Sequence, residues 1–243
     1  MRYLILSDTH GNLEALTAVA TAARDQYDYV LCLGDVVGYG ADPNAVTDWV
    51  RQNAMITIRG NHDRACSSLV GLDWFNPLAQ AATRWTHDAL TETNRNWLHA
   101  LPSGPAQIED FQLVHGSPLD EDDYLVNVMD AAQAFQQIDA PLTFFGHTHL
   151  QGAFEYRHGK TARLALPSSR HTFAVDDGAA YLVNPGSVGQ PRDRDPRAAF
   201  ALYDRATRSL ELCRIAYDVD EAQRKILDAG MPAALAERLA MGR

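Results

Sequence analysis

An α/β fold is the architecture this sequence predicts, and two patterns carry the prediction. Short apolar runs alternate with stretches of three- and four-residue periodicity, the rhythm of parallel strands joined by crossover helices. Nearly every apolar run also closes on a compact polar tag, as strands do when their carboxyl ends line a ligand crevice. With 243 residues, 46% of them apolar and 21% charged, the chain can bury one large core. A single domain over residues 1–243 is therefore expected.

Residues 3–6 form an apolar run ended by Ser7-Asp8, and Leu13, Leu16, Ala20 and Ala23 then fall at helical steps. Residues 29–33 repeat the run and close on Gly34-Asp35. A helix opens near Pro43 and carries Val46, Trp49 and Val50. Residues 55–58 are a third strand, ending at Gly60-Asn61. After Asp63 the strand rhythm stops. Trp74, Leu78, Ala82, Trp85, Leu90 and Trp97 stand between polar positions, which predicts a helical cap at about residues 64–105. Aromatic residues at helical spacing usually pack inward, so Trp74, Phe75, Trp85 and Trp97 are expected in the core of that cap rather than stacked on a nucleobase. Strands return at residues 111–114, 142–145, 152–156, 162–166, 180–183, 200–203 and 210–215, with a hairpin turn at Arg205-Ala206-Thr207-Arg208. The tail over residues 219–239 reads as helix, interrupted at Gly230-Met231-Pro232.

Charge and cysteine content exclude several functions. Acidic residues outnumber basic ones 31 to 21, a net charge of −10 that argues against a binder of polymeric nucleic acid. Cys32, Cys66 and Cys213 form no CxxC pair and imply neither a disulfide framework nor a thiolate zinc site. The N-terminal apolar run is too short for a signal peptide and no stretch is long enough to span a membrane, so a cytoplasmic protein with no membrane partner is expected. The composition is compatible with a homo-oligomer. The acidic run Asp120-Glu121-Asp122-Asp123 reads as a solvated loop.

The polar tags are Ser7-Asp8-Thr9-His10, Gly34-Asp35, Gly60-Asn61-His62-Asp63, Val114-His115-Gly116 and Gly146-His147-Thr148-His149, and they hold five of the nine histidines. Asp and His in this density suit borderline divalent cations such as manganese, iron or zinc. In Asp8-x-His10 and His147-x-His149 one residue separates the two candidate ligands, so a locally extended backbone would point both the same way and each pair could chelate.

The order of these blocks resembles the calcineurin-like metallophosphoesterase superfamily from Asp8 to His149. The resemblance implies a four-layer α/β/β/α sandwich of two mixed sheets, with a dinuclear metal site at the strand ends. Carried over block by block, it makes Asp8, His10, Asp35 and His149 the shell of one divalent ion and Asp35, Asn61, His115 and His147 that of the other, with Asp35 bridging. His62 then faces the substrate and protonates the leaving oxygen. Two ions roughly 3.5–4 Å apart can lower the pKa of a bound water and orient the resulting hydroxide for in-line attack on phosphorus.

Departures narrow the subclass. Ser/Thr protein phosphatases of the superfamily continue their second block as Gly-Asp-x-Val-Asp-Arg-Gly, whereas here Gly38 and Tyr39 fill the Asp and Arg positions. The blocks resemble instead the small prokaryotic phosphoesterase and phosphodiesterase group. The expected function is hydrolysis of a small phosphodiester or phosphoanhydride, with a nucleotide among the substrates. A dinucleoside polyphosphate hydrolase, a Ser/Thr protein phosphatase and, from another class, a non-catalytic scaffold on the same fold are the alternatives. Arg64, Tyr39 and Arg192 are candidate substrate-binding residues. Two carboxylates facing two divalent ions would leave a cationic pocket for one phosphate inside an acidic protein.

Overall fold

The computed structural model describes residues 1–165 and 170–243. In chain order it begins β1 (Arg2–Leu6), α1 (Leu13–Ala22), β2 (Tyr29–Cys32), α2 (Pro43–Asn53), β3 (Ala54–Thr57) and α3 (Asn61–Ser68). A short 3-10 turn at Leu72–Trp74 leads to α4 (Pro77–Ala89), α5 (Glu92–His99), β4 (Ala106–Ile108), β5 (Phe111–Leu113) and α6 (Val128–Phe135). There follow β6 (Leu142–Phe144), β7 (Gly152–Arg157), β8 (Lys160–Arg163), β9 (Arg170–Ala174), β10 (Ala179–Asn184), β11 (Ala198–Asp204) and β12 (Ser209–Ile215). Two helices, α7 (Val219–Asp228) and α8 (Ala233–Met241), close the chain. Among the described residues no helix is long and apolar enough to cross a membrane.

The strands form two six-stranded mixed sheets, ordered β3-β2-β1-β11-β12-β9 and β4-β5-β6-β10-β7-β8. β1, β2 and β3 run parallel in the first, and β5, β6 and β10 run parallel in the second. Alternation along β1 shows how the layers are made. Tyr3 and Ile5 point into a core shared with Phe111, Phe144 and Tyr181 of the second sheet. Leu4 and Leu6 point the other way, onto Leu16 and Val19 of α1 and Val46 and Val50 of α2. Both faces of β1 are thus dry, which is why it reads as a continuous apolar run. On the far side, Ala131 and Ala134 of α6 pack on Phe154 and Leu182 of the second sheet. The result is the α/β/β/α sandwich that the family resemblance implies.

Local signals set the helix starts. The Asn12 side chain accepts from Ala15 N at 3.0 Å and donates to Gly189 O at 2.9 Å, so one residue both caps α1 and ties it to the segment after β10. Pro43 and Pro77 occupy the first turns of α2 and α4. The tail is two helices, and they pack with α4 around the Tyr39 ring.

Three elements were not predicted from the sequence: β4, β9 and α6. β4 has three residues, and β9 reads Arg-His-Thr-Phe-Ala with no apolar run, as a sheet-edge strand can. The strand expected at residues 162–166 is found as β8, and Leu166 lies outside the described residues. Trp74 is also corrected. It sits on the 3-10 turn, where helical spacing does not apply, and is 92% exposed. Phe75, Trp85 and Trp97 are partly buried against the clusters as expected.

Candidate metal centre

The five polar tags follow β1, β2, β3, β5 and β6 and meet at one edge of the sandwich, three from the first sheet and two from the second. Backbone hydrogen bonds lace them together beyond the strand ends: Asp8 N to Gly34 O at 3.0 Å, His10 N to Asp35 O at 2.9 Å and Gly146 N to His115 O at 2.7 Å. Asp8, His10, Asp35, His147 and His149 all have positive φ, between 47° and 61°. The extended backbone expected for Asp8-x-His10 and His147-x-His149 is therefore not what aims them. Left-handed turns do, at a local cost of roughly 1–2 kcal/mol per residue.

The side chains form two groups that share a carboxylate. Ligand atoms of Asp8, His10, Asp35 and His149 lie within 4.8 Å of one another, as do those of Asp35, His115 and His147. His147 and His149 thus fall in different groups and do not chelate as a pair. Asp35 Oδ2 stands 3.6 Å from His10 Nε2 and 3.4 Å from His115 Nε2, between the two groups. Asp8 Oδ1 is 3.3 Å from His149 Nε2.

Donor chemistry shows that these groups fit a cation. His10 Nδ1 donates to Val37 O at 3.0 Å, His115 Nδ1 to Leu33 O at 2.7 Å and His149 Nδ1 to Gln190 O at 2.6 Å. A carbonyl only accepts, so each Nδ1 carries the proton and turns Nε2 inward as a ligand lone pair. Asp8 Oδ1, Asp35 Oδ2, Asn61 Oδ1, His115 Nε2 and both nitrogens of His147 are buried with no hydrogen-bond partner. So many converging orphan acceptors are costly unless a metal ion satisfies them.

The electrostatics make the same demand. Burial drives His10 and His149 well below the ordinary imidazole range and His147 to about 3, so these rings offer neutral nitrogens. Burial also opposes charge on His115, but Asp35 overrides it and raises that imidazole to about 10, so a cation binding there takes the place of a proton on Nε2 and frees its lone pair. Asp35 itself is held well below the usual carboxylate range, burial being outweighed by His115 and His62. Positive charge is wanted beside Asp35, and a divalent cation supplies it.

His62 stands next to this centre. Its backbone N donates to Asp35 Oδ1 at 2.8 Å, and its ring lies among those of Tyr39, Phe75 and His10 at centroid distances of 4.5, 4.7 and 5.0 Å. Burial, opposed by Asp35 and reinforced by Arg192, pushes the imidazole down to about 4, lower than the near-neutral titration expected of a proton donor. A Cβ on Gly38 would come within 2.7 Å of its Nδ1, which has no partner. Gly60 is equally constrained, since a Cβ there would meet Asp35 Oδ1 at 2.2 Å.

Of the substrate-binding candidates, Tyr39 is buried with Arg192 and Arg238 over its ring at 5.8 and 5.7 Å. Arg64 lines the cavity in front of His62, and its guanidinium is engaged by Glu121 and Asp122. The acidic run is accordingly more than a solvated loop, because the Glu121 side chain is buried between Arg59 and Arg64.

Two residues that shape the surroundings of the centre escaped the sequence reading. Asp63 accepts from Val36 N at 2.8 Å, Val37 N at 3.2 Å and Gly60 N at 3.0 Å, so it pins the Asp35 loop to the turn that presents Asn61 and His62. An acidic residue in the first turn of a helix was the available signal. Arg238, on α8, had no local signal at all.

A sandwich of two mixed sheets with buried Asp and His groups at its facing strand ends is the architecture of a metallophosphoesterase. The chain belongs to the calcineurin-like phosphoesterase superfamily, whose domain, described as "Calcineurin-like phosphoesterase superfamily domain", matches residues 1–208. Membership implies phosphoesterase hydrolase activity. An uncharacterized protein of Methanocaldococcus jannaschii is 32% identical over 250 residues, covering 98% of this chain and 97% of its own. The crystal structure of a metallophosphoesterase from Sphaerobacter thermophilus is 38% identical, with a TM-score of 0.88 over 100% of this chain and 99% of that one. A hypothetical protein from Pyrococcus horikoshii OT3 shares the fold at 18% identity, with a TM-score of 0.80 over 100% of this chain and 98% of that one.

Proposed function

We propose that the protein is a dinuclear-metal-dependent phosphoesterase that hydrolyses a small phosphodiester or phosphoanhydride. The observation that carries this reading is Asp35. Its Oδ2 is shared between the two ligand groups, and its Oδ1 anchors the backbone of His62.

The first ion would be held by Asp8, His10, Asp35 and His149, and the second by Asp35, Asn61, His115 and His147. When bound, two divalent cations acidify a water molecule and neutralise the phosphate oxygens. The rest belongs to the chain. In hydrolysis the water oxygen joins phosphorus, the bond from phosphorus to the leaving oxygen breaks, and a proton must reach that oxygen. His62, lining the cavity beside the ligands, is the group assigned to it. The negative charge of a bound phosphate draws its pKa upward, so the ring enters the reaction as imidazolium, gives its proton to the leaving oxygen and is left as neutral imidazole. Arg192 has no carboxylate partner among the described residues and is assigned to the phosphate. Asp63 holds the His62 turn in place.

A protein phosphatase is disfavoured by Gly38 and Tyr39, which leave His62 Nδ1 without an acidic partner. A non-catalytic scaffold is disfavoured by the complete set of inward ligand atoms. The test is hydrolysis of bis-p-nitrophenyl phosphate with added manganese, together with elemental analysis of protein purified without chelator. Turnover is expected to vanish in His10→Ala and Asp35→Asn. Turnover untouched by both substitutions overturns the reading.

A further inference from the structure

We propose that the cavity beside His62 is a leaving-group subsite for an uncharged, flat aromatic group of nucleoside type, and that it selects against leaving groups carrying a further phosphate. The proposal rests on the phosphoesterase reading of the centre and names the substrate class for it.

The cavity has a volume of about 390 Å³, within the range of small-molecule sites. Its inner end is formed by Asn61, His62 and His147, all buried, and its outer part by Trp74, Phe75 and Tyr124. Aromatic surface therefore flanks both inner histidines. The Phe75 ring is 4.7 Å from that of His62, and the Tyr124 ring is 4.1 Å from that of His147. Trp74 at 92% and Tyr124 at 53% leave large apolar rings in water at the mouth of the same cavity. Single exposed apolar side chains need no explanation, but two bordering one cavity beside the reacting centre form a stacking surface.

Charge separates the two sides of the site. Arg64 and Asp122 line the cavity and pair at 2.8 Å, and Arg64 also pairs with Glu121, which Arg59 holds at 3.0 Å, so the guanidinium on the cavity wall is already neutralised. That wall has no surplus positive charge for a second phosphate. Against the Tyr39 ring stand Arg192, which has no carboxylate partner among the described residues, and Arg238, whose Nε donates to Arg243 O at 2.6 Å. Anionic recognition belongs to the phosphorus under attack, and the departing group enters a neutral, aromatic cavity.

The proposal is tested on the protein with its metals as purified. Adenosine, which carries no phosphate, is titrated while tryptophan emission is followed. Quenching is expected, lost in Trp74→Phe, and adenosine binding followed by titration calorimetry is expected to weaken about ten-fold in Trp74→Ala. Two diesters that share one phosphoryl group are then compared, one releasing adenosine and the other methanol. The ratio of their kcat/KM values is expected to fall about ten-fold in Trp74→Ala and in Phe75→Ala. Asp122→Asn, which leaves Arg64 less neutralised, is expected to raise kcat/KM several-fold for a substrate releasing ADP relative to one releasing adenosine. Adenosine that fails to bind while diesters still turn over overturns the subsite and leaves the phosphoesterase reading standing. Adenosine binding without turnover of any phosphoester does the reverse. A kcat/KM ratio unmoved by Trp74→Ala also overturns the subsite.

Discussion

The Nε2 atoms of His10 and His149 face each other at 3.1 Å, and neither can donate to the other because each ring has its proton on Nδ1, bonded to Val37 O and to Gln190 O. Two opposed lone pairs at that distance repel unless a cation lies between them. Stripping the protein with a chelator is therefore expected to lower its Tm. Restoring a divalent ion at a hundred times its dissociation constant is expected to return roughly 2.7 kcal/mol. Calorimetry with and without chelator checks this, and equal melting in both states contradicts it.

Asp35→Asn removes the charge shared by both ligand groups while keeping its shape. Loss of metal affinity is expected to exceed the roughly 10–100-fold that accompanies removal of an outer hydrogen-bond partner. Metal titration by calorimetry measures it, and turnover is expected to fall in parallel.

Asp63→Asn tests the turn. Asp63 receives three backbone N–H groups on its two oxygens, and an amide must turn its NH2 toward at least one of them. Destabilisation of roughly 2–3 kcal/mol is expected from denaturant unfolding. Activity is expected to fall further than stability explains, because the same turn presents Asn61 and His62.

Arg192→Met and Arg238→Met probe the charges beside Tyr39. A lost charge-assisted hydrogen bond to phosphate corresponds to a rise in KM of about ten-fold or more. Inorganic phosphate is expected to inhibit each variant more weakly than the unaltered protein. A fall in kcat with unchanged KM would show that neither arginine binds ground-state phosphate.

Lys225 on α7 bonds Glu14 at 2.5 Å and Asp42 at 2.8 Å, docking the C-terminal helices onto α1 and the start of α2. Burial alone would lower its pKa, but Asp42 and Glu14 raise it above the ordinary 10.5. A raised folded-state pKa stabilises fully below the unfolded value, and the effect is lost as pH rises through the folded one. Lys225→Met is thus expected to cost about 1 kcal/mol at neutral pH, given the partial exposure of the site. The gap from the unaltered protein should close above pH 10.5, as urea melts across that range will measure.

Much of the site was legible in the sequence because ligand type and strand-end position are local properties. A run such as Tyr3-Leu4-Ile5-Leu6 leading into Ser7-Asp8 announces both a doubly buried strand and the polar turn at its carboxyl end. The turn geometry of Asp8 and His149 was not legible, since side-chain alternation predicts an extended pair and left-handed φ is set by neighbouring loops. β9 escaped because an edge strand needs no apolar run, and Trp74 was misplaced because one helical period was carried across a 3-10 turn. Arg238 lies far along the chain from Tyr39 and meets it only through the packing of α8, which no spacing encodes.

Each ligand group draws from both sheets: His149 closes one against Asp8 and His10, and His115 and His147 close the other against Asp35. How closely those partners approach therefore depends on the thickness of the sandwich, which is filled by Tyr3, Phe111, Phe144 and Tyr203, whose rings interlock edge to face or stacked at 5.3 to 6.5 Å. The aromatic seam works as a gauge block. Widening or thinning it would change the reach of the metal centre without altering a single ligand.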